Sequence, residues 1–405
     1  MALVVQKYGG SSVATPELIC RVAERVLERH RQGDRMVVVV SAMGDSTDHL
    51  KLLAEKVSRA PAKREMDMLM ASGERIAMSL LAMAITDMGV EAVSMTGGQS
   101  GIITDRVHQS ARITELKPAR LLKELNRGRI VIVAGFQGIT DDEEETTLGR
   151  GGSNLTAVAL AYALNADVCE MNTDVDGIYT ADPRIVPNAR KLDLISPDEM
   201  LELASSGARV LQSRSVEFAK KSGVTIAVRS SFNDHPGTLI KEMEGMEEVV
   251  VRGIAHDESE AKITVRQVSD RPGIAALLFG ALAEHHINVD MILQNTSEQG
   301  ATDVSFTVKE DDLGKALEVC QNIKQEVGAA EVLADSDIAK VSIVGVGMRS
   351  HPGVAATAFR ALSEAKINIE MISTSEIKIG CVVARRDCDN AVRALHAAFE
   401  LDRVD

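Results

Sequence analysis

Up to about residue 240 the chain alternates short, continuous apolar runs with stretches of helical periodicity. Leu3-Val4-Val5 leads through a Gly/Ser turn into a helix over about Leu18–His30. Met36–Val40 and the run from Arg129 to Gly135 are rich in valine and isoleucine and show no polar alternation. Strands buried on both faces have this pattern, and their alternation with helices predicts a mostly parallel sheet in a three-layer α/β domain. Ligands of such folds sit beyond the carboxyl ends of the strands, so the turns after these runs are the places to look for chemistry.

The rest of the chain follows a different pattern, and it is duplicated. Arg271-Pro272-Gly273-Ile274-Ala275-Ala276 and the residues up to Ile292 match His351-Pro352-Gly353-Val354-Ala355-Ala356 and the residues up to Ile372, without a gap, at a constant offset of 80. A strand precedes each copy (Lys262–Val265, Lys340–Ile343), and another follows it (Thr302–Val308, Ile377–Val383). A helix closes each unit (Leu313–Val327, Asn390–Phe399). Two small α+β sandwiches follow from this, with the Leu278/Phe279/Leu282 stripe as core. A turn signal at Asn233–Gly237 and a charged stretch to Met246 mark the boundary. The expected domains are residues 1–240, 241–335 and 336–405.

Composition narrows the function. The 405 residues are 45% hydrophobic and 26% charged, contain no Trp and carry a formal net charge of −14. An acidic, aromatic-poor chain argues against nucleic-acid binding and against docking on anionic membranes. No apolar run reaches the roughly 18 residues of a membrane helix, and the N-terminus reads as a strand rather than a secretory leader. Cys20, Cys169, Cys320, Cys381 and Cys388 form no metal-binding spacing, and are expected to be reduced packing residues of a cytoplasmic protein.

Four segments can carry chemistry. Lys7-Tyr8-Gly9-Gly10-Ser11-Ser12 ends the first strand with a lysine, two glycines and two hydroxyls, which suits phosphate as well as it suits a plain turn. It is not a P-loop, because GxxxxGK[ST] is absent. Thr146–Asn154 opens an Ala-rich helix with glycines around Arg150, where an anion site and ordinary helix capping can coexist. Asn172–Arg184 places Asp174 and Asp176 after a strand, facing a metal–nucleotide or simply forming turns. Ala71–Arg75 reads as a turn opening a helix, with Glu74 as a first-turn dipole residue or as a partner for a substrate amine.

Taken in order, the segments VQKYGGSSV (5–13), VVVVSAMGDSTD (37–48), ASGER (71–75), VAGFQG (133–138), TTLGRGGS (146–153), TDVDGIYTADPR (173–184) and VRSSF (228–232), followed by the two repeats, resemble the aspartokinases. That family has an amino acid kinase domain followed by two ferredoxin-like ACT domains. The resemblance implies transfer of the ATP γ-phosphoryl group to the β-carboxylate of L-aspartate, with Mg²⁺ and with no metal held by protein ligands alone. It implies that Lys7 neutralises the transferring group, cradled by Gly9, Gly10 and Ser11. Ser41 and Ser153 would touch the substrate, Arg150 its α-carboxylate and Glu74 its α-ammonium. Thr173, Asp174, Tyr179, Asp182, Arg184 and Arg209 would line the nucleotide site. Asp270, Gly273, Ile274, Ala275, Gln294 and Asn295 would line a pocket for lysine or threonine as effectors, in a homo-oligomer built through the ACT domains.

Three positions depart from the family pattern. Asn154 stands where an aspartate follows GRGGS, Asn172 where an aromatic residue precedes TDVDG, and Arg209 where a lysine is usual. Removing a carboxylate from a site of paired charges costs transition-state stabilisation. Three readings stay open on sequence alone: an active aspartate kinase, a paralogue acting on a related acidic amino acid, or a catalytically weak ligand-sensing subunit.

Overall fold

The computed structural model describes residues 2–208, 210–242, 250–294, 300–351 and 353–403. The strands of the first part are β1 (Leu3–Tyr8), β2 (Arg35–Val40), β3 (Ala92–Met95), β4 (Ile102–Thr104), β5 (Ile113–Leu116), β6 (Ile130–Ala134), β7 (Gln137–Ile139), β8 (Glu145–Thr147), β9 (Val168–Thr173), β10 (Leu194–Ile195), β11 (Ile226–Ser230) and β12 (Thr238–Ile240). Its helices are α1 (Pro16–Arg31), α2 (Ser46–Val57), α3 (Lys63–Asp87), α4 (Ala119–Leu125), α5 (Gly152–Ala163), α6 (Pro197–Ser205) and α7 (Ser213–Ser222).

The main sheet has the order β10-β12-β11-β9-β1-β2-β6-β3, and every pair is parallel except β11 with β12. The apolar runs are its central strands: Met36–Val40 and Ile130–Ala134 are fully buried. Side chains alternate across the sheet. Val4, Tyr8, Met36, Val38, Val40, Ile130 and Ile132 pack against α1 and α3, while α5 contacts β1, β2 and β9 from outside that cluster. A small sheet of order β5-β4-β7-β8 accompanies the large one.

The second part has strands β13 (Gly253–Asp257), β14 (Glu260–Ser269), β15 (Ile292–Gln294), β16 (Ala301–Lys309), β17 (Glu331–Asp335), β18 (Ile338–Val344), β19 (Met371–Thr374) and β20 (Lys378–Ala384), with helices α8 (Ile274–Glu284), α9 (Leu313–Ile323), α10 (Val354–Glu364) and α11 (Cys388–Ala398). They form two four-stranded antiparallel sheets, β15-β16-β14-β17 and β13-β18-β20-β19. Leu278 and Leu282 are core residues and Phe279 packs beside them.

The expected boundary at residue 336 falls between β17 and β18, but the topology reassigns the first strand of the stretch 241–335. β13 lies before the first repeat, yet it pairs with β18 of the second, Gly253 opposite Val344. The first repeat completes its own sheet with β17, which pairs with β14. The first sandwich is therefore nested inside the chain of the second, because each repeat needs a fourth strand and only β17 lies between them.

The boundary at residue 240 also shifts. Tyr179–Arg190 and Ser205–Ala208 cluster with the second unit, which otherwise runs from Glu247. Ala181, Ile185 and Val186 join the apolar core that contains Val251, Ile254 and Leu395. Apolar side chains in a segment that reads as turn are the cause.

Between the two sandwiches the polar residues are reciprocal. Lys340 of β18 is ion-paired with Asp290 of the first repeat, and Lys262 of β14 with Glu370 of the second. Asp290 and Glu370 are equivalent positions at the offset of 80. Lys340 also lies 3.3 Å from buried Glu260, and Lys309 lies 2.6 Å from Asp257. Met291, Ile338, Met371 and Val382 form an apolar cluster beside these pairs.

Candidate active site

The carboxyl ends of β1, β2, β6 and β9 bring most of the singled-out residues to one edge of the sheet. Lys7 is the penultimate residue of β1, on the face opposite Tyr8. Its Nζ lies 3.2 Å from where a side chain at Gly9 would begin, so glycine leaves room for the ammonium group. No hydrogen-bond or ion-pair partner for Lys7 exists among the described residues. Burial lowers its pKa to about 8, against the opposing pull of Asp174. A largely desolvated cation left without a partner is costly unless a ligand supplies the counter-charge.

The turn after β1 is held from two sides. Gly9 N–H donates to the Asn172 carbonyl at 3.4 Å, and Gly44 N–H donates to the Gly10 carbonyl at 3.0 Å. Ser11 is exposed, while Ser12 is buried with its hydroxyl 2.6 Å from that of Ser231. The second hydroxyl of the motif is thus structural.

Ser41 follows β2, its N–H donating to the Tyr8 carbonyl. Next to it, Ala42 N–H donates to Glu74 Oε1 at 3.2 Å. Glu74 is 3% exposed, and its other oxygen, Oε2, has no partner. Burial raises its pKa to about 7, against the Ala42 amide. The expected turn at Ala71–Arg75 is absent: all five residues lie in the middle of the 25-residue α3. Glu74 is therefore no first-turn dipole residue. Gly73 allows α3 to pass close to Ala42, and this puts the carboxylate at the strand end. Arg75 is held by Gln137 and is ion-paired with Glu145.

Ser153 and Asn154 lie in the first turn of α5, capped by Gly151 in the left-handed region. A Cβ at Gly135, at the end of β6, would come within 2.6 Å of Ser153 Oγ, so glycine there lets α5 dock over the strand ends. Arg150 is exposed in the loop before α5, and Asn154 is half-buried; neither side chain has a partner among the described residues. Lys7, Arg150, Asn154 and Glu74 Oε2 together leave two cationic groups, an amide and a carboxylate oxygen without protein partners at one edge.

The remaining residues separate. Thr173 ends β9 and Asp174 follows it, the Thr173 hydroxyl donating to the Asp174 carboxylate at 3.0 Å. Asp176 is not free for a ligand: Asn233 Nδ2 and His235 Nδ1 bond its carboxylate at 2.6 and 3.1 Å, which is the turn-forming role. Tyr179, Asp182 and Arg184 belong to the second unit. There Asp182 and Arg184 form a local pair at 2.7 Å, while Thr180 Oγ1 lies 2.9 Å from Nε2 of buried His396. Arg209 and Asn295 lie outside the described residues. Asn172 is 2% exposed with its Nδ2 unpartnered, so the departure from an aromatic residue leaves a buried amide unsatisfied.

In the first repeat Asp270, Gly273, Ala275 and Gln294 are exposed and Ile274 is buried. An open cavity of about 490 Å³ lies in the second repeat, lined among others by Gly353, Val354, Ala355, Thr374 and Ser375. These are the counterparts, at the offset of 80, of Gly273, Ile274, Ala275, Gln294 and Asn295. The duplication could have pointed to them. A second cavity of about 400 Å³, between Ile185–Asn188 and the end of α11 near His396 and Arg403, had no sequence signal.

A parallel sheet with anion-binding turns at its carboxyl edge, joined to paired regulatory sandwiches, defines a small-molecule kinase with ACT domains. Residues 2–230 match the amino acid kinase family, and residues 262–322 and 341–399 match the ACT domain. The chain belongs to the aspartokinase family. It is 56% identical to the aspartokinase of Mycolicibacterium smegmatis over 411 aligned positions, covering 100% of this chain and 98% of that one. It is 53% identical to that of Corynebacterium glutamicum with the same coverage. Among solved structures, E. coli aspartokinase III in complex with aspartate and ADP (R-state) superposes with a TM-score of 0.83 at 27% identity, over 98% of this chain and 99% of that one. The complex of the same enzyme with lysine and aspartate (T-state) gives 0.77 at 28%, with equal coverage.

By length and composition α3 is long and apolar enough to cross a membrane, although Asp67, Glu74 and Arg75 interrupt its apolar run. Its inner face (Ala77, Met78, Leu81, Ile85) lies in the core of the kinase sheet.

Proposed function

We propose that this chain transfers the γ-phosphoryl group of ATP to the β-carboxylate of L-aspartate, under allosteric control through its ACT domains. The observation that carries the reading is the pair of charged groups at the sheet edge without partners among the described residues, the half-buried Lys7 and the buried Glu74 Oε2. They match the two charges such a reaction must handle, a phosphoryl group and an ammonium group. One bond forms between a β-carboxylate oxygen and Pγ, and the bond from Pγ to the β–γ bridging oxygen breaks, with ADP leaving. A carboxylate is nucleophilic at neutral pH, so no general base is needed, and catalysis rests on positioning and charge neutralisation.

With a pKa of about 8, Lys7 is mostly protonated at neutral pH and offers its charge to the transferring group. Gly9, Gly10 and Ser11 give backbone N–H groups and a hydroxyl to the phosphates. Arg150 grips the α-carboxylate, Glu74 takes the α-ammonium, and Ser41 and Ser153 hold the substrate between them. The ammonium draws Glu74 into its ionised form, so acids without an amine bind poorly. Asn154 keeps a hydrogen-bonding amide beside Lys7 without a counter-charge.

Thr173 and Asp174 serve the nucleotide, with Tyr179, Asp182, Arg184 and Arg209 assigned to it from the resemblance. No group of three metal-ligating side chains exists among the described residues. A Mg²⁺ ion would thus be held chiefly through the phosphates with Asp174, a donor set that suits this ion. When bound, it shields the phosphate charge. Lysine or threonine is the proposed effector class, bound at the helix N-termini opened by Gly273 and Gly353.

The test is ATP turnover with L-aspartate, trapping the acyl phosphate as a hydroxamate, with and without lysine and threonine. Hydroxamate formation sensitive to these amino acids is expected. Its absence with aspartate, together with activity gained only in Asn154→Asp, would identify the native chain as a degenerate kinase.

A further inference from the structure

Two buried carboxylates share the inner face of α3, about two turns apart. Glu74 keeps one oxygen without a partner. Asp67 is engaged through both. Its Oδ1 accepts the Thr147 hydroxyl at 2.7 Å, both oxygens accept the Gln109 N–H at 3.1 Å, and Oδ2 lies 2.7 Å from His108 Nδ1. A carboxylate hidden from water is tolerated only with such a set of partners. The partners lie 41 to 80 residues further along the chain. Asp67 thus reaches from α3 to the loop after β4 and to the last residue of β8.

The two segments it holds are also bound to each other. Ala111 N–H donates to the Thr147 carbonyl at 2.9 Å. Arg214 of α7 donates to the carbonyls of Leu148 and Ala111 at 2.8 and 2.7 Å. A Cβ at Gly149 would come within 3.0 Å of the Gln109 carbonyl, so the two loops pass closely. Gln109 has a φ of 70°, a left-handed conformation that a residue with a side chain keeps only when its surroundings hold it. The Asp67 carboxylate on its N–H is that hold. Arg150 stands three residues after Thr147, exposed and without a partner among the described residues. Its guanidinium is open to a ligand, while the segment that carries it is fastened at Thr147 and Leu148. We infer that Asp67 is a positioning residue for substrate recognition. By fastening Gln109 and Thr147 it sets where Arg150 stands relative to Glu74, and so the spacing at which the carboxylate and the ammonium of one α-amino acid are held together. One helix then governs both ends of the substrate, Glu74 by contact and Asp67 through the loop. The inference rests on the roles proposed above for Arg150 and Glu74.

The test is steady-state kinetics of the full chain carrying Thr147→Val, which removes one bond to Asp67 and no charge. KM for aspartate is expected to rise about tenfold, with kcat and KM for ATP within about twofold of the native chain, because a misplaced Arg150 weakens binding of substrate and transition state alike. Thr147→Ser, which restores the hydroxyl, should recover most of the loss. Asp67→Asn should give the same selective rise, larger in size; if that chain does not fold, Thr147→Val still decides. Arg150→Ala should raise KM for aspartate about 100-fold, and adding Thr147→Val to it should raise it no further. An unchanged KM for aspartate in Thr147→Val, or an equal effect with and without Arg150, overturns the inference and leaves the role of Arg150 standing. So does a parallel rise in both KM values, the mark of a general loosening of the fold. An Arg150→Ala chain with the native KM for aspartate would overturn the reading of Arg150 and the inference with it.

Discussion

Two strand lysines divide the molecule into a part that is electrically complete and a part that is not. Lys340, in the seam between the ACT sandwiches, sits against Glu260 and Asp290. Burial alone would lower its pKa, but the two carboxylates outweigh burial and raise it. Lys7, at the kinase sheet edge, is half-buried with no partner among the described residues, and there desolvation prevails. Both lysines occupy strands, and the more deeply buried of the two is the one whose pKa is raised, so exposure does not explain the contrast. What separates them is whether the fold supplies the counter-charge, and the one left open is the one whose counter-charge arrives with a ligand.

Removing each lysine should therefore act in opposite directions. Lys7→Met is expected to lower phosphoryl transfer by about 10²–10³-fold or more. It should also stabilise the unliganded protein at pH 7 by about 3 kcal/mol, the equivalent of the lowered pKa. The penalty from Lys7 is fully present below pH 8 and fades as pH rises toward the ordinary lysine value, so the gain should vanish in alkaline buffer. Denaturant unfolding at pH 7 and pH 10 measures both; a loss of stability on removing Lys7 would break the comparison. Lys340→Met should instead cost about 1–3 kcal/mol, because buried Glu260 keeps only Lys309 while Asp290 is 41% exposed and can turn to water, seen in the same unfolding assay, with kcat unchanged well below the transition.

The pH profile sharpens the contrast at the site. Glu74 must ionise to hold an ammonium group, and Lys7 must stay protonated. Hence kcat/KM should rise through about pH 7 and fall above about pH 8. Glu74→Gln should erase the acid limb and raise KM for aspartate about tenfold or more. The raised pKa of Glu74 also means that stability of the free protein declines as pH rises from about 4.5 through 7. The smallest effect is expected at Lys262. It is 20% exposed beside a similarly exposed Glu370, so Lys262→Met should cost only about 1 kcal/mol or less in the unfolding assay.

The apolar runs Met36–Val40 and Ile130–Ala134 made the kinase sheet legible, because a strand buried on both faces leaves no other pattern. The duplication made the two sandwiches legible in the same way. The position of Glu74 inside α3 was not, since Ser72-Gly73 looks locally like a helix start. Only the close passage of the helix over Ala42, a contact between residues about 30 apart, explains a glycine there. The use of Tyr179–Arg190 as core of the second unit was equally hidden. Asp182-Pro183 signals a turn, while burial of Ile185 and Val186 depends on partners more than 60 residues later. Local chemistry predicts turns and caps well, but long-range packing decides which side chains those turns hide.

The nesting of one sandwich inside the other sets an order of events during synthesis. β13 leaves the ribosome about 80 residues before its pairing partner β18 exists. The intervening chain holds everything the first sandwich needs, so that sandwich can close early. β13 must wait as an unpaired edge, the kind of segment that seeks other strands. Any polypeptide that begins after residue 257 would carry a complete first sandwich and a second with an open edge. One that begins at Met243 or Met246 would include β13 and could complete both.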